Sequence, residues 1–132
     1  MAITIPDTRQ YPLVANASFA FGDFTSGVGA AVFALPQNAV VTGGQVIIDT
    51  AWDSATSDGL EVGDAGDDNR YLTSTDAQSA ARTALVPTGY QVTNANRNIL
   101  VEITSAGGSL SAGAGRIQVE YIVEGRATEN FE

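Results

Sequence analysis

Ile117-Gln118-Val119-Glu120-Tyr121-Ile122-Val123-Glu124 sets Ile117, Val119, Tyr121 and Val123 on one side of an extended chain and Gln118, Glu120, Ile122 and Glu124 on the other. A period of two in β-branched and aromatic residues marks a half-buried strand, because successive side chains of a strand point to opposite faces. Upstream, Ile99, Val101 and Ile103 alternate with Leu100, Glu102 and Thr104 in the same way. Ala106-Gly107-Gly108-Ser109 and Ser111-Ala112-Gly113-Ala114-Gly115 lie between them as a flexible loop. The two strands therefore either form a long-looped hairpin or face each other across a sandwich.

Further toward the N-terminus, Gln45 to Trp52 puts Val46, Ile48, Thr50 and Trp52 on one face, and Gly43-Gly44 just before it predicts a bulge or tight turn. Val28 to Leu35 is an apolar stretch of strand length ended by Pro36, and Phe19 and Phe21 alternate with small residues. One short helix is expected from Thr75. Thr75 and Gln78 fit a capping box, Ala77, Ala80, Ala81, Ala84 and Leu85 recur at helical spacing, and Pro87 and Gly89 end the run. Six to eight short strands with glycine-rich turns around one helix predict an all-β, jelly-roll-like antiparallel sandwich. Its core is expected to hold Val46, Ile48, Trp52, Val101, Ile103, Val119, Tyr121 and Val123. The sandwich domain is assigned to residues 15–132. Residues 1–14, with Ile3, Ile5, Pro6, Arg9, Tyr11 and Pro12, read either as a frayed terminus or as an extended arm that docks on a neighbour.

The composition removes most enzyme chemistry. The 132 residues include no His, no Cys and no Lys, which are the usual general base, the strongest natural nucleophile and the Schiff-base former. Without Cys there are neither disulfides nor thiolate metal sites. All six basic residues are arginines, at 9, 70, 82, 97, 116 and 126, in a chain of net charge −9. They form no basic stripe, so nucleic acid is not an expected partner. The N-terminus has no basic segment followed by a long apolar one, and no run reaches the ~18 apolar residues of a membrane helix. A product made in the cytoplasm, with no membrane partner, is expected.

Asp53, Asp58, Glu61, Asp64, Asp67 and Asp68 crowd one stretch with no basic residue before Arg70. Hard cations take six to eight oxygens, but Asp64-Ala65-Gly66-Asp67-Asp68-Asn69 lacks the order of an EF-hand loop. A solvated acidic loop is the expectation, with no metal and no cofactor. Nothing fixes two of these carboxylates as a glycosidase pair. Gly107-Gly108-Ser109-Leu110-Ser111 misses the second glycine of a nucleophile elbow, and Gly27-Val28-Gly29 leads into a strand with Val32 where a dinucleotide fingerprint needs glycine. No catalytic residue is assigned. Arg without Lys suits a protein interface, where guanidinium groups are enriched and lysines depleted.

Several phrases carry a resemblance. Leu35-Pro36-Gln37-Asn38-Ala39-Val40-Val41-Thr42-Gly43-Gly44, Val46-Ile47-Ile48, Ala51-Trp52-Asp53-Ser54 and Ser57-Asp58-Gly59-Leu60-Glu61-Val62-Gly63-Asp64 resemble small β-rich virion proteins of tailed bacteriophages. So do Asn69-Arg70-Tyr71-Leu72, Arg82-Thr83-Ala84-Leu85, Pro87-Thr88-Gly89-Tyr90 and Gly113 to Tyr121. The resemblance covers about three-quarters of the chain, leaves out the first 34 residues and includes no catalytic motif. It implies a head decoration, or cement, protein that stabilises contacts between major capsid protein subunits. Such proteins are typically trimers on the capsid exterior. Ile3, Ile5, Pro6, Arg9, Tyr11 and Pro12 are then the expected capsid or oligomer contacts. A phage tail or neck component, and a sugar- or metal-binding sandwich module, are the alternative readings.

Overall fold

The computed structural model describes residues 8–126 and 129–130. Ten strands follow one another: β1 (Thr8–Arg9), β2 (Leu13–Ala20), β3 (Gly29–Ala34), β4 (Ala39–Thr50), β5 (Ser57–Gly63), β6 (Leu72–Asp76), β7 (Arg82–Ala84), β8 (Asn98–Ala106), β9 (Ala114–Val123) and β10 (Glu129–Asn130). Eight of them build two antiparallel sheets in the orders β2-β9-β4-β7 and β3-β8-β5-β6, while β1 pairs with β10. In chain order, the first of the eight strands pairs with the last, the second with the seventh, the third with the sixth and the fourth with the fifth. A long hairpin rolled over on itself gives this double-sheet, jelly-roll connectivity. The two segments with the cleanest alternation, β8 and β9, lie in different sheets and so face each other across the sandwich.

The inner faces follow the period of two. Ile99, Val101 and Ile103 of β8 and Ile117, Val119 and Val123 of β9 are buried, with Val41, Val46 and Ile48 of β4 beside them. Tyr121 is only partly buried and packs against this core from the end of β9. In β4 the pairing with β9 shifts between Val41 and Gly43 and again between Ile48 and Thr50. The first shift realises the bulge expected at Gly43-Gly44. The second explains why Thr50 is exposed while Trp52 is buried. Gly44 has φ +135, and a Cβ there would lie 2.2 Å from the Gln118 carbonyl oxygen, so no other residue fits this crossing of β4 and β9.

The expected helix is absent. Thr75 lies in β6 opposite Leu60, Asp76 lies opposite Gly59, and Arg82, Thr83 and Ala84 pair as β7 with Ile47, Val46 and Gln45. The described residues hold only two short 3-10 turns, Phe21–Asp23 and Asn94–Asn96. Between β6 and β7 the chain crosses from one sheet to the other. The Ala77 amide donates to Asp58 O, the Ala77 carbonyl accepts from Trp52 N–H, and the Ala81 carbonyl accepts from Ile48 N–H. These long-range bonds take the backbone groups that a helix would have bonded locally.

Candidate functional site

The acidic stretch is not one loop with one role. Asp53 accepts hydrogen bonds from the Ser111 hydroxyl and from the Ser111 and Ala112 amides. These hold its carboxyl below the usual range, and they tie the glycine-rich 107–113 loop to the end of β4. Asp58 is buried in β5. Burial pushes its carboxyl up, but the Ser105 hydroxyl beside it and the hydrogen bonds that Oδ2 accepts from Gln78 Nε2 and the Ser54 amide outweigh burial and leave it lowered. Asp64 is buried at the end of β5, where Oδ1 accepts from the Gly66 and Asp67 amides and Oδ2 accepts from Arg70 Nε at 2.6 Å. The Arg70 guanidinium in turn lies 3.6 Å from the centroid of the Tyr90 ring, and Asn96 donates to the Tyr90 hydroxyl. Each of these acids organises a turn.

Three carboxylates do come together. Glu61 and Glu102 are direct cross-strand partners on β5 and β8, and oxygens of Glu61, Asp68 and Glu102 lie within 4.8 Å of one another. Alternation alone did not single out Glu102, because pairing partners 41 positions apart in sequence are set by topology. Burial raises the Glu61 carboxyl above its ordinary value, and the charges of Asp68 and Glu102 raise it further. A carboxyl raised in the folded state binds its proton more tightly there than in the unfolded chain. This group therefore adds stability as pH falls through the raised value and opposes folding at neutral pH. Glu61→Gln is expected to raise stability at pH 7 by about 0.2–1 kcal/mol, the scale of a like-charge cross-strand pair. Urea melts at pH 7 and pH 4.5 check it: the gain should shrink at the lower pH, and an equal gain at both would contradict the assignment.

The surface cavities are open and shallow. One of them, about 520 Å³, runs along β5 and β6 and is lined by Thr56, Ser57, Asp58, Ser74, Asp76 and Gln78 among others. No group there pairs a nucleophile with a base.

Of the six residues expected to make contacts, Ile3, Ile5 and Pro6 lie outside the described residues. Arg9 sits in β1 opposite Glu129, and Tyr11 and Pro12 are exposed on the approach to β2. Tyr11, Leu13 and Val14 form a run of exposed apolar side chains. Leu13 and Val14 already belong to the sheet, opposite Tyr121 and Glu120. Sequence reading missed Gln10. Its Nε2 donates to the Val123 and Arg126 carbonyls while its Oε1 accepts from Val123 N–H, which clamps the start of the chain to the end of β9.

The fold is shared with phage particles. It is similar to a chain of the "Cyanophage Pam1 capsid asymmetric unit", with a TM-score of 0.73, 27% identity, and 92% of this chain and 94% of that one covered. A chain in "Capsid of Ralstonia phage GP4" matches with a TM-score of 0.70 at 14% identity, over 96% of this chain and 93% of that one. A chain in "Acidic stable capsid structure of Helicobacter pylori bacteriophage KHP30" matches with a TM-score of 0.64 at 19% identity, over 85% and 87%. No protein-family model and no curated protein matches the sequence. Along nearly its whole length, then, the chain is similar in fold to chains found in bacteriophage capsids.

Proposed function

We propose that the protein is a structural component of a tailed-bacteriophage head, a decoration or cement protein that binds the outer surface and stabilises contacts between major capsid protein subunits. The observation that carries this reading is the near full-length likeness to a chain of a phage capsid at 27% identity. A chain without His, Cys or Lys suits a role in assembly and not in catalysis. Net charge −9 favours the exterior, because packaged DNA would repel an acidic lining. The working unit in this reading is a homo-oligomer, a trimer by analogy with decoration proteins, since several weak contacts presented together hold a repeating shell more firmly than one.

The test is co-sedimentation of purified protein with capsids of its own phage from which the protein has been stripped, with light scattering of the free protein. Saturable binding by an oligomer is expected. Removing residues 2–9 while keeping Gln10 should leave the sandwich folded and weaken attachment by on the order of tenfold, the effect of ~1.4 kcal/mol of lost contact. A monomer that fails to sediment with those capsids would overturn the reading in favour of a ligand-binding module. Sedimentation with tails instead would assign it to the tail or neck.

A further inference from the structure

The charge of this molecule is unevenly placed. From Gln10 to Ile48 the only charged residue is Asp23, although the chain carries 15 acidic and six basic residues. That segment contains β2 and β3, the two strands that edge the sandwich on one side. Sheet edges in monomeric proteins are usually guarded by charge, proline, a bulge or shortness. On the opposite side β7 has three residues and β6 carries Asp76. On the near side β3 is interrupted by a register shift between Ala31 and Phe33. β2 has none of these guards: eight residues, Leu13-Val14-Ala15-Asn16-Ala17-Ser18-Phe19-Ala20, pair without interruption to β9.

Its outer edge can be read group by group. In an antiparallel pair, alternate residues turn both N–H and C=O toward the partner strand and the residues between turn both away. Phe21 N–H donates to Gly113 O at 2.9 Å, toward the β9 side. Ala20 N–H points the other way and is taken by Asp23 Oδ2 at 2.8 Å. Counting back by twos, Ser18, Asn16 and Val14 present their N–H and C=O to the open edge. No described residue bonds to them there.

Asn16 also ends a row of amides. On the outer face of the sheet Gln45 of β4 stands opposite Gln118 of β9, and Gln118 stands opposite Asn16. Gln45 Nε2 donates to Gln118 Oε1 at 2.7 Å. Stacked amide side chains of this kind continue readily from strand to strand.

We propose that the β2 edge is a self-association site, where β2 of a second copy adds antiparallel about a twofold axis through Asn16. In that register Asn16 faces its own copy, Val14 faces Ser18, Ala15 faces Ala17 and Leu13 faces Phe19. Three considerations fit an identical copy. The outward-facing residues 14, 16 and 18 meet outward-facing residues, so every free N–H finds a carbonyl. The half-exposed Leu13 gains Phe19 on the inner face. The amide row continues across the axis as Gln45-Gln118-Asn16 joined to Asn16-Gln118-Gln45. In the neighbouring rows, Glu120 beside Val14 and Arg116 beside Ser18 end on opposite sides of the joint, so no like charges meet. The contact is isologous and leaves any threefold association to other surfaces. On a shell it would tie one oligomer to the next.

The absence of native Cys makes a register-specific test clean. Opposed residues of a hydrogen-bonded antiparallel pair have Cα atoms about 5.5 Å apart, within the range a disulfide spans. Under mild oxidation of the full chain, Asn16→Cys should give a disulfide-linked dimer. Val14→Cys and Ser18→Cys should each link poorly alone and link well when mixed. Thr88→Cys, exposed and remote from β2, is the control. Asn16→Lys, which places two like charges on the axis, should lower the mass of the free protein at high concentration in light scattering, with an unchanged circular dichroism spectrum. Linking of Asn16→Cys no greater than the control, or a mass unaffected by Asn16→Lys, would overturn the proposal. Loss of capsid attachment in Asn16→Lys without any change in mass would also overturn it, and would assign the edge to a capsid strand instead. Because the measurement needs no capsid, its failure leaves the head-protein reading standing, and failure to bind capsids leaves this proposal standing.

Discussion

Replacing Trp52 by Ala is expected to destabilise the sandwich by about 3–5 kcal/mol, the range for deleting a large buried aromatic side chain. Trp52, the only Trp, is 2% exposed. Its ring packs against Phe19 at 5.9 Å and Phe24 at 6.3 Å between centroids, both from the β2 side of the fold. Its other wall is backbone: at Gly113, with φ +149, a Cβ would lie 2.5 Å from Trp52 Cδ2. One residue thus fastens the turn after β4 to the end of β2 and to the glycine-rich loop before β9. The indole Nε1–H is buried without a hydrogen-bond partner, so the site gains from the ring's volume and loses by its polar atom. Trp52→Phe, which removes the donor and keeps most of the apolar contact, should therefore cost much less than Trp52→Ala. Thermal melts followed by circular dichroism check both. A loss of roughly 10–20 °C is expected for Ala in a domain of this size. Gly113→Ala should also be strongly destabilising alone, and less so in the Trp52→Ala background where the ring it strikes is gone. Equal effects in the two backgrounds would show that Gly113 is needed for its backbone angle alone.

Trp52 also illustrates how far local sequence carries. The alternation from Val46 through Ile48 to Trp52 assigned it to the core, and the strands at 45–50, 99–104 and 116–123 were equally legible, because a half-buried strand must repeat every two residues. The alanines from Ala77 to Ala84 misled for a related reason. Helical spacing predicts one buried face, yet Ala77 is buried and Ala80, Ala81 and Ala84 are exposed. The capping-box glutamine is used elsewhere, with Gln78 Nε2 donating to the Ser54 carbonyl and to Asp58 Oδ2. Bonds across 20 or more positions decided the conformation there, and a local window contains none of them. The same holds for the pairing of β2 with β9, the Glu61–Glu102 pair and the Gln10 clamp. Strand existence is a local property, whereas strand neighbours follow from how the whole hairpin rolls.

The acidic turn after β5 gives the second large effect. Asp64→Ala is expected to cost about 3–5 kcal/mol, as breaking a buried pair by removing one partner usually does. The Asp64 side chain has 0% relative exposure and that of Arg70 17%. The carboxylate accepts four hydrogen bonds: two from the Gly66 and Asp67 amides, one from Arg70 Nε, and one from Arg70 Nη2 at 3.2 Å. Alanine leaves all four donors without that acceptor. The turn has little freedom to rearrange around them, since the preceding Gly63 is so enclosed that a Cβ there would sit 2.2 Å from the Asp67 carbonyl oxygen. Freed from Asp64, the guanidinium loses the partner that raises its pKa and holds it over the Tyr90 ring, so the 88–96 segment should loosen as well. Asp64→Asn separates the two contributions. It retains an oxygen for the Gly66 and Asp67 amides but turns an NH₂ group toward Arg70, so it should fall between wild type and Ala. Denaturant melts measure the stabilities, and hydrogen exchange at Tyr90 to Asn96 measures the loosening. If Asn proves as costly as Ala, the charge toward Arg70 carries the stability of the turn. If Asn is nearly neutral, the bonds to the two backbone amides carry it.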